Sequence, residues 1–192
     1  MATSEIERFY PETREEWRKW LTENHIKKDA IWLILYKKKA AKPTISWSDA
    51  VDEALCFGWI DSIKRKLNDE SSVQYFSKRK AQSTWSKINK QKVEKLKEAG
   101  KMNEAGLACI ELAKQNGSWT ILDDVEELII PKDLEVELRA KSDAMDFFLS
   151  LGKSVRKAML QWLVLAKRLE TRQNRISIIV EHAEKGLKPP QF

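Results

Sequence analysis

Residues 46–89 constrain the fold more than any other part of the chain, because two different periodicities meet there at a glycine. Ser46 and Asp49 have the spacing of a capping box, in which the serine hydroxyl accepts the amide three residues on. Ala50, Val51, Ala54, Leu55 and Phe57 then recur at helical spacing, with Asp52, Glu53 and Cys56 on the other side. Gly58 stands where a helix stops by entering a left-handed conformation. From Trp59 to Leu67 the period changes to two. Trp59, Asp61, Ile63, Arg65 and Leu67 point one way, and Ile60, Ser62, Lys64 and Lys66 the other. Asn68, Asp69, Glu70 and Ser71 supply a turn, and residues 72–77 supply a returning strand. From Trp85 onward the spacing is helical again. A capped helix handing directly to a hairpin and then to a helix predicts an α+β protein.

The flanking segments extend that reading. Thr13 and Glu16 form another capping box, and Trp17, Trp20 and Leu21 share one face of a first helix ending near Asn24. The run Ala30–Tyr36 is short, continuously apolar and rich in β-branched and aromatic residues, which predicts a central strand covered on both faces. Lys37, Lys38 and Lys39 end it in solvent. The expected sheet is small and antiparallel, with at least three strands packed with helices. Gly100 stops the helix that begins at Trp85. An apolar helix follows over residues 104–116, around Leu107, Ile110 and Leu112, with Gly106 inside it marking close backbone packing. Beyond residue 119 the pattern is helical throughout: a helix after Pro131, then residues 142–151, 154–167 and 171–185. The last carries Ile176, Ile179, Val180 and Ala183 on one stripe. The chain therefore divides into an α+β core, residues 1–119, and a C-terminal helical segment, residues 120–192.

Composition narrows the function classes. No apolar run approaches the roughly 20 residues that span a bilayer, and the N-terminus has no basic segment leading into an apolar one. With two cysteines and two histidines, none at ligand spacing, the sequence predicts neither a disulfide framework nor a metal site, and no cofactor. It contains no phosphate-binding loop, dinucleotide fingerprint or nucleophile elbow. A reduced, cytoplasmic protein is the expectation. The net charge of +6 is uneven. From Lys78 to Lys101 nine Lys or Arg face two acids, whereas residues 123–146 hold nine acids against three bases. The first segment suits an anionic partner. However, Lys92 and Lys95 lie on one flank of that helix's apolar stripe and Lys90 and Lys97 on the other, which frames a buried face rather than a basic ribbon.

Six residues stand out as a candidate pocket: Trp59, Asp61, Arg79, Ser83, Trp85 and Asn89. Asp61 shares a strand face with Trp59 and Ile63, and an unpaired charge there is costly. Arg79 and Arg65 are its candidate partners, and Asn89 or Ser83 candidate donors. Asn89 falls within the arc of Trp85, Ile88, Val93 and Leu96, so its amide also needs a partner. The structural alternative is an ion pair locking hairpin to helix. Cys56 is a poor nucleophile, because Asp52 and Glu53 one turn before it raise its thiol pKa. Cys109, within an apolar helix, reads as core.

The same residues carry a family resemblance. Trp47, Asp49, Ala50, Val51 and Glu53–Ser62 resemble the signature of the YdeI/OmpD-associated, or bacteriocin-protection, family. Phe76, Arg79, Ser83, Trp85, Ser86 and Asn89 are similar to its F-x-x-R-x-x-x-S-x-W-S-x-x-N pattern, with Ser77-Lys78 where members often carry Thr-Pro. Gly100-Lys101-Met102 with Gly106, and Ala166–Arg172 with Arg175-Ile176, resemble two further elements, so the likeness runs along nearly the whole chain. It implies a YjbR/CyaY-like α+β core with a C-terminal helical segment, and a link to tolerance of bacteriocins or cationic peptides. A frataxin-type iron role is not expected, because the first helix mixes charges instead of presenting an acidic ridge.

The leading expectation is a non-enzymatic binding protein for a small molecule or peptide. One alternative is a nucleic-acid-associated protein using residues 78–101. Another is a small-molecule enzyme with Asp61 or Glu53 as its acid/base group.

Overall fold

Thr13 and Ser46 act as the sequence predicts. In a computed structural model that describes residues 6–192, Thr13 Oγ1 accepts the Glu16 amide and Ser46 Oγ the Asp49 amide. They start α1 (Arg14–Asn24) and α2 (Trp47–Cys56). The described residues form two compact units, one made of the chain up to Ser83 with Ile88–Trp119, the other of Thr84–Lys87 with Thr120–Phe192.

The first unit is α+β. Strands β1 (Arg8–Phe9), β2 (Ala30–Tyr36), β3 (Trp59–Lys66) and β4 (Ser71–Lys78) form one sheet in the order β1-β2-β4-β3. The β2–β4 and β3–β4 pairs are antiparallel and β1 runs parallel to β2, so the sheet is mixed. β1 is only two residues long, too short to carry a readable alternation. The β2 run is not covered on both faces. Ile31, Leu33 and Leu35 are buried, whereas Trp32, Ile34 and Tyr36 stay partly exposed. Aromatic and β-branched side chains on both faces disguise a one-sided strand as a two-sided one.

Helices α1 and α2 cover the inner face. Trp17 packs on Phe76 with ring centroids 5.5 Å apart, and its indole N–H donates to the Ala50 carbonyl at 3.0 Å, joining α1 to α2. Helices α3 (Lys87–Glu98) and α4 (Glu104–Gln115) follow. A Cβ at Gly106 would sit 2.2 Å from the Cys56 carbonyl oxygen, so only glycine allows α4 this close to the end of α2. That carbonyl also accepts the amide of Asn103, whose own side chain caps α4. Glu53 and Cys56, expected on the solvent side of α2, are buried. Ile88, expected on the buried stripe of α3, is 64% exposed.

The second unit is helical: α5 (Asp123–Glu126), α6 (Lys132–Arg139), α7 (Ala144–Ser150), α8 (Lys153–Val164) and α9 (Leu169–Glu184). Its core joins Leu134 and Leu138 of α6, Phe148 of α7, Met159, Leu160 and Leu163 of α8, and the predicted stripe Ile176, Ile179, Val180 and Ala183 of α9. Arg172 grips Asp133 with two parallel hydrogen bonds of 2.6 and 2.9 Å, tying α9 to α6.

Candidate functional site

Gly58 sits at φ +72°, and the chain reverses there from α2 into β3. Its carbonyl accepts the amide of Arg79 at 2.9 Å, so the exit of β4 is pinned to this turn. Trp59 is fully buried beside it, and its indole N–H donates to the His25 carbonyl at 3.3 Å. The His25 ring lies 5.2 Å from that of Phe57. From the other side α4 brings Ala105, Cys109 and Leu112. Together these groups bound a cleft of about 390 Å³, with apolar walls and two cations, Lys78 and Arg79. That volume falls in the range of small-molecule sites.

Arg79 is 9% exposed. Burial pushes its guanidinium down to about 10, against the opposing pull of Cys109 and Asp61. It therefore remains a cation near pH 7, held in an apolar recess. Burial raises the Cys109 thiol, and Arg79 partly offsets this. Cys109 is only half-buried and lines the cleft, rather than lying in the core as its apolar helix suggested.

Of the six candidate residues, Trp59 and Arg79 meet in this cleft. Asp61 is held elsewhere. It accepts the Trp47 indole N–H at 2.9 Å and the Gln74 amide at 3.2 Å, which joins β3 to the start of α2. Ser83 is half-buried in a turn, its amide bonded to the Lys80 carbonyl. Asn89 is half-buried on α3, and Trp85 is buried and belongs to the second unit. Sequence reasoning missed His25, Phe57, Lys78 and Cys109, which are brought together by tertiary packing and share no local spacing.

Glu53, the other candidate acid/base group, is 2% exposed and receives both neighbouring arginines of α1. Arg14 Nε bonds one carboxylate oxygen and Arg18 Nη1 the other, the latter at 2.6 Å. Arg14 also reaches Asp49, and Arg18 the Lys101 carbonyl. Such a doubly donated carboxylate fits a lock between α1 and α2 better than proton transfer. Beside it, burial raises the Cys56 thiol; a hydrogen bond from Arg18 opposes this and Glu53 reinforces it.

Four of the nine cations of the basic segment are paired with carboxylates in place. Lys78 pairs with Asp29, Lys87 with Glu127, Lys92 with Asp52 and Lys97 with Glu94. Among the described residues no three His, Cys, Asp or Glu gather as a metal site, and no helix is long and apolar enough to cross a membrane.

Comparison with known families divides the chain. Residues 9–109 match the model described as Domain of unknown function (DUF8412). Residues 127–186 match the model described as Bacteriocin-protection, YdeI or OmpD-Associated. The motifs around Trp47–Cys56 and Arg79 therefore fall in the first match, and the YdeI/OmpD-associated match covers helical residues of the second unit. Neither match names the YjbR/CyaY-like superfamily. No curated protein and no solved structure matches the chain.

Proposed function

The chain belongs to the DUF8412 family, and from that premise we propose that its first unit is a non-enzymatic binding module whose Gly58–Arg79 cleft takes a small anionic ligand with an apolar body. One observation carries the reading: a guanidinium almost fully buried at the wall of a mainly apolar cleft that also holds Lys78. A carboxylate or phosphate against Arg79 would form charge-assisted hydrogen bonds in a low-dielectric setting, where they are strong. Ile26 and Leu112, the accessible apolar side chains of the lining, would hold the apolar part. On this reading the first unit is a YjbR/CyaY-like module acting in the cytoplasm. The YdeI/OmpD-associated match of residues 127–186 supports a link to bacteriocin or cationic-peptide tolerance.

A thermal-shift screen of carboxylates and phosphate esters tests the cleft. A ligand that raises the Tm of the wild type but not of Arg79→Met, in a variant that still melts cooperatively, is the expected result. Equal stabilisation of both proteins, or none of either across the screen, would reject it. Survival of bacteriocin-exposed cells expressing wild type or Arg79→Met tests the physiological link.

A further inference from the structure

The outer face of the sheet is a second surface, distinct from the cleft. In the register of the four strands it carries Arg8, Trp32, Ile34, Tyr36, Val73, Tyr75, Ile60 and Arg65. Helices α1 and α2 lie against the opposite face, where Ile31, Leu33 and Phe76 are buried. Trp32 and Tyr75 are direct cross-strand partners, with ring centroids 5.0 Å apart and edge-to-face. Both rings stay partly accessible, as does Tyr36. The exposed Arg65 reaches across β4, its guanidinium carbon 5.1 Å from the centre of the Trp32 ring. Lys42 Nζ stands 4.8 Å from the centre of the Tyr36 ring, at the end of a segment that also holds Lys37, Lys38 and Lys39. The strands contain one acid, Asp61, and its register with Phe76 places it on the helix-covered face.

We propose that this face binds single-stranded nucleic acid, with Trp32, Tyr36 and Tyr75 as stacking surfaces and Arg65 and Lys42 contacting phosphate. Trp32 and Tyr36 are four residues apart on one strand, about 13 Å. That distance accommodates on the order of two or three bases laid across a sheet. Stacking needs base faces that a duplex keeps covered, so the aromatic content favours single strands. The cations lie at the rings themselves, where a stacked base brings its phosphate. By contrast, four of the lysines in residues 78–101 are already paired with carboxylates.

Anisotropy titration of a labelled mixed-sequence oligonucleotide of about a dozen nucleotides, at several salt concentrations, tests the assignment. The expected result is binding at low salt, preference for the single strand over its duplex, and a negative salt slope. Tyr75→Ala should weaken binding about ten-fold, and Arg65→Gln should flatten the salt slope by about one. Arg65 is exposed, so its variant keeps the fold; circular dichroism and melting check both variants. Three outcomes would overturn the proposal. They are no binding at low salt, equal affinity for single strand, duplex and heparin, and variants that fold but bind as the wild type does. Stronger capture by anionic phospholipid vesicles, lost in Arg65→Gln, would reassign the face to membranes and also overturn it.

Discussion

The amide of Arg79 donates to the carbonyl of Gly58 at 2.9 Å, so the end of β4 and the α2–β3 turn are one structural joint. The cleft exists because of this joint. It sets a guanidinium beside a turn whose own tightness depends on a missing side chain. A Cβ on Gly58 would lie 3.0 Å from the Ala105 carbonyl oxygen, at a φ of +72° that L-residues adopt only under strain.

Gly58→Ala should therefore cost roughly 2–4 kcal/mol, from backbone strain plus displacement of α4. Gly100 supplies the control, since it also has positive φ (+63°) but nothing within 4 Å of its would-be Cβ. Gly100→Ala should cost about 1–2 kcal/mol. Urea unfolding of both variants measures the difference, which isolates crowding from strain. Equal losses would mean that α4 yields freely at Gly58.

Glu53→Gln should cost about 2–3 kcal/mol, because two guanidinium groups lose their shared carboxylate. The figure is set at the low end because the Arg18 side chain is 38% exposed and water screens it. If the lock reading holds, the variant loses stability while any ligand affinity measured at the Arg79 cleft stays unchanged. A loss of binding with stability intact would return Glu53 to the functional residues.

Much of the frame could be read from the sequence, and the reasons are local. The limits of β2 are legible because seven apolar residues between Asp29 and Lys37 admit little else. The stripe of α9 and the caps at Thr13 and Ser46 are likewise short-range patterns. Alternation failed where β3 carries a register shift between Asp61 and Lys64. An extra residue there breaks the period of two, so Ile63 is exposed although Trp59 is buried. The partners of Asp61 were missed for a related reason. Trp47 comes from the first turn of α2 and Gln74 from the facing strand, and neither contact follows from the spacing of β3 itself. The cleft was half legible: Trp59 follows the glycine turn directly and Arg79 returns to it at the end of the β3–β4 hairpin, but His25 and Cys109 reach it only through packing.

Acid should weaken the second unit through Asp133. The Arg172 hydrogen bonds hold this carboxyl below the ordinary carboxylate range, against a smaller opposing effect of burial. A depressed folded-state value means the contribution is fully present above the unfolded value and is lost as pH falls through the folded one. Arg172→Gln should therefore lower stability at pH 7 and flatten its decline below about pH 4. Urea midpoints of both proteins across pH test this. Parallel curves would show that the Asp133–Arg172 contact contributes nothing to the pH dependence.

The two thiols give a direct readout of the cleft. Burial raises both, so alkylation by iodoacetamide should be slow at pH 7 and climb steeply with pH, since only the thiolate attacks. Cys109 is half-buried on the cleft wall and Cys56 is buried beneath α4, so Cys109 should be modified first. Arg79 lowers the Cys109 thiol, and Arg79→Met should slow its alkylation further in a variant that still folds. A ligand seated against Arg79 should protect Cys109 while leaving Cys56 unchanged, as followed by peptide mass spectrometry. Modification of Cys56 ahead of Cys109 would mean that the end of α2 opens more readily than the cleft admits reagent, contrary to the close α2–α4 contact at Gly106.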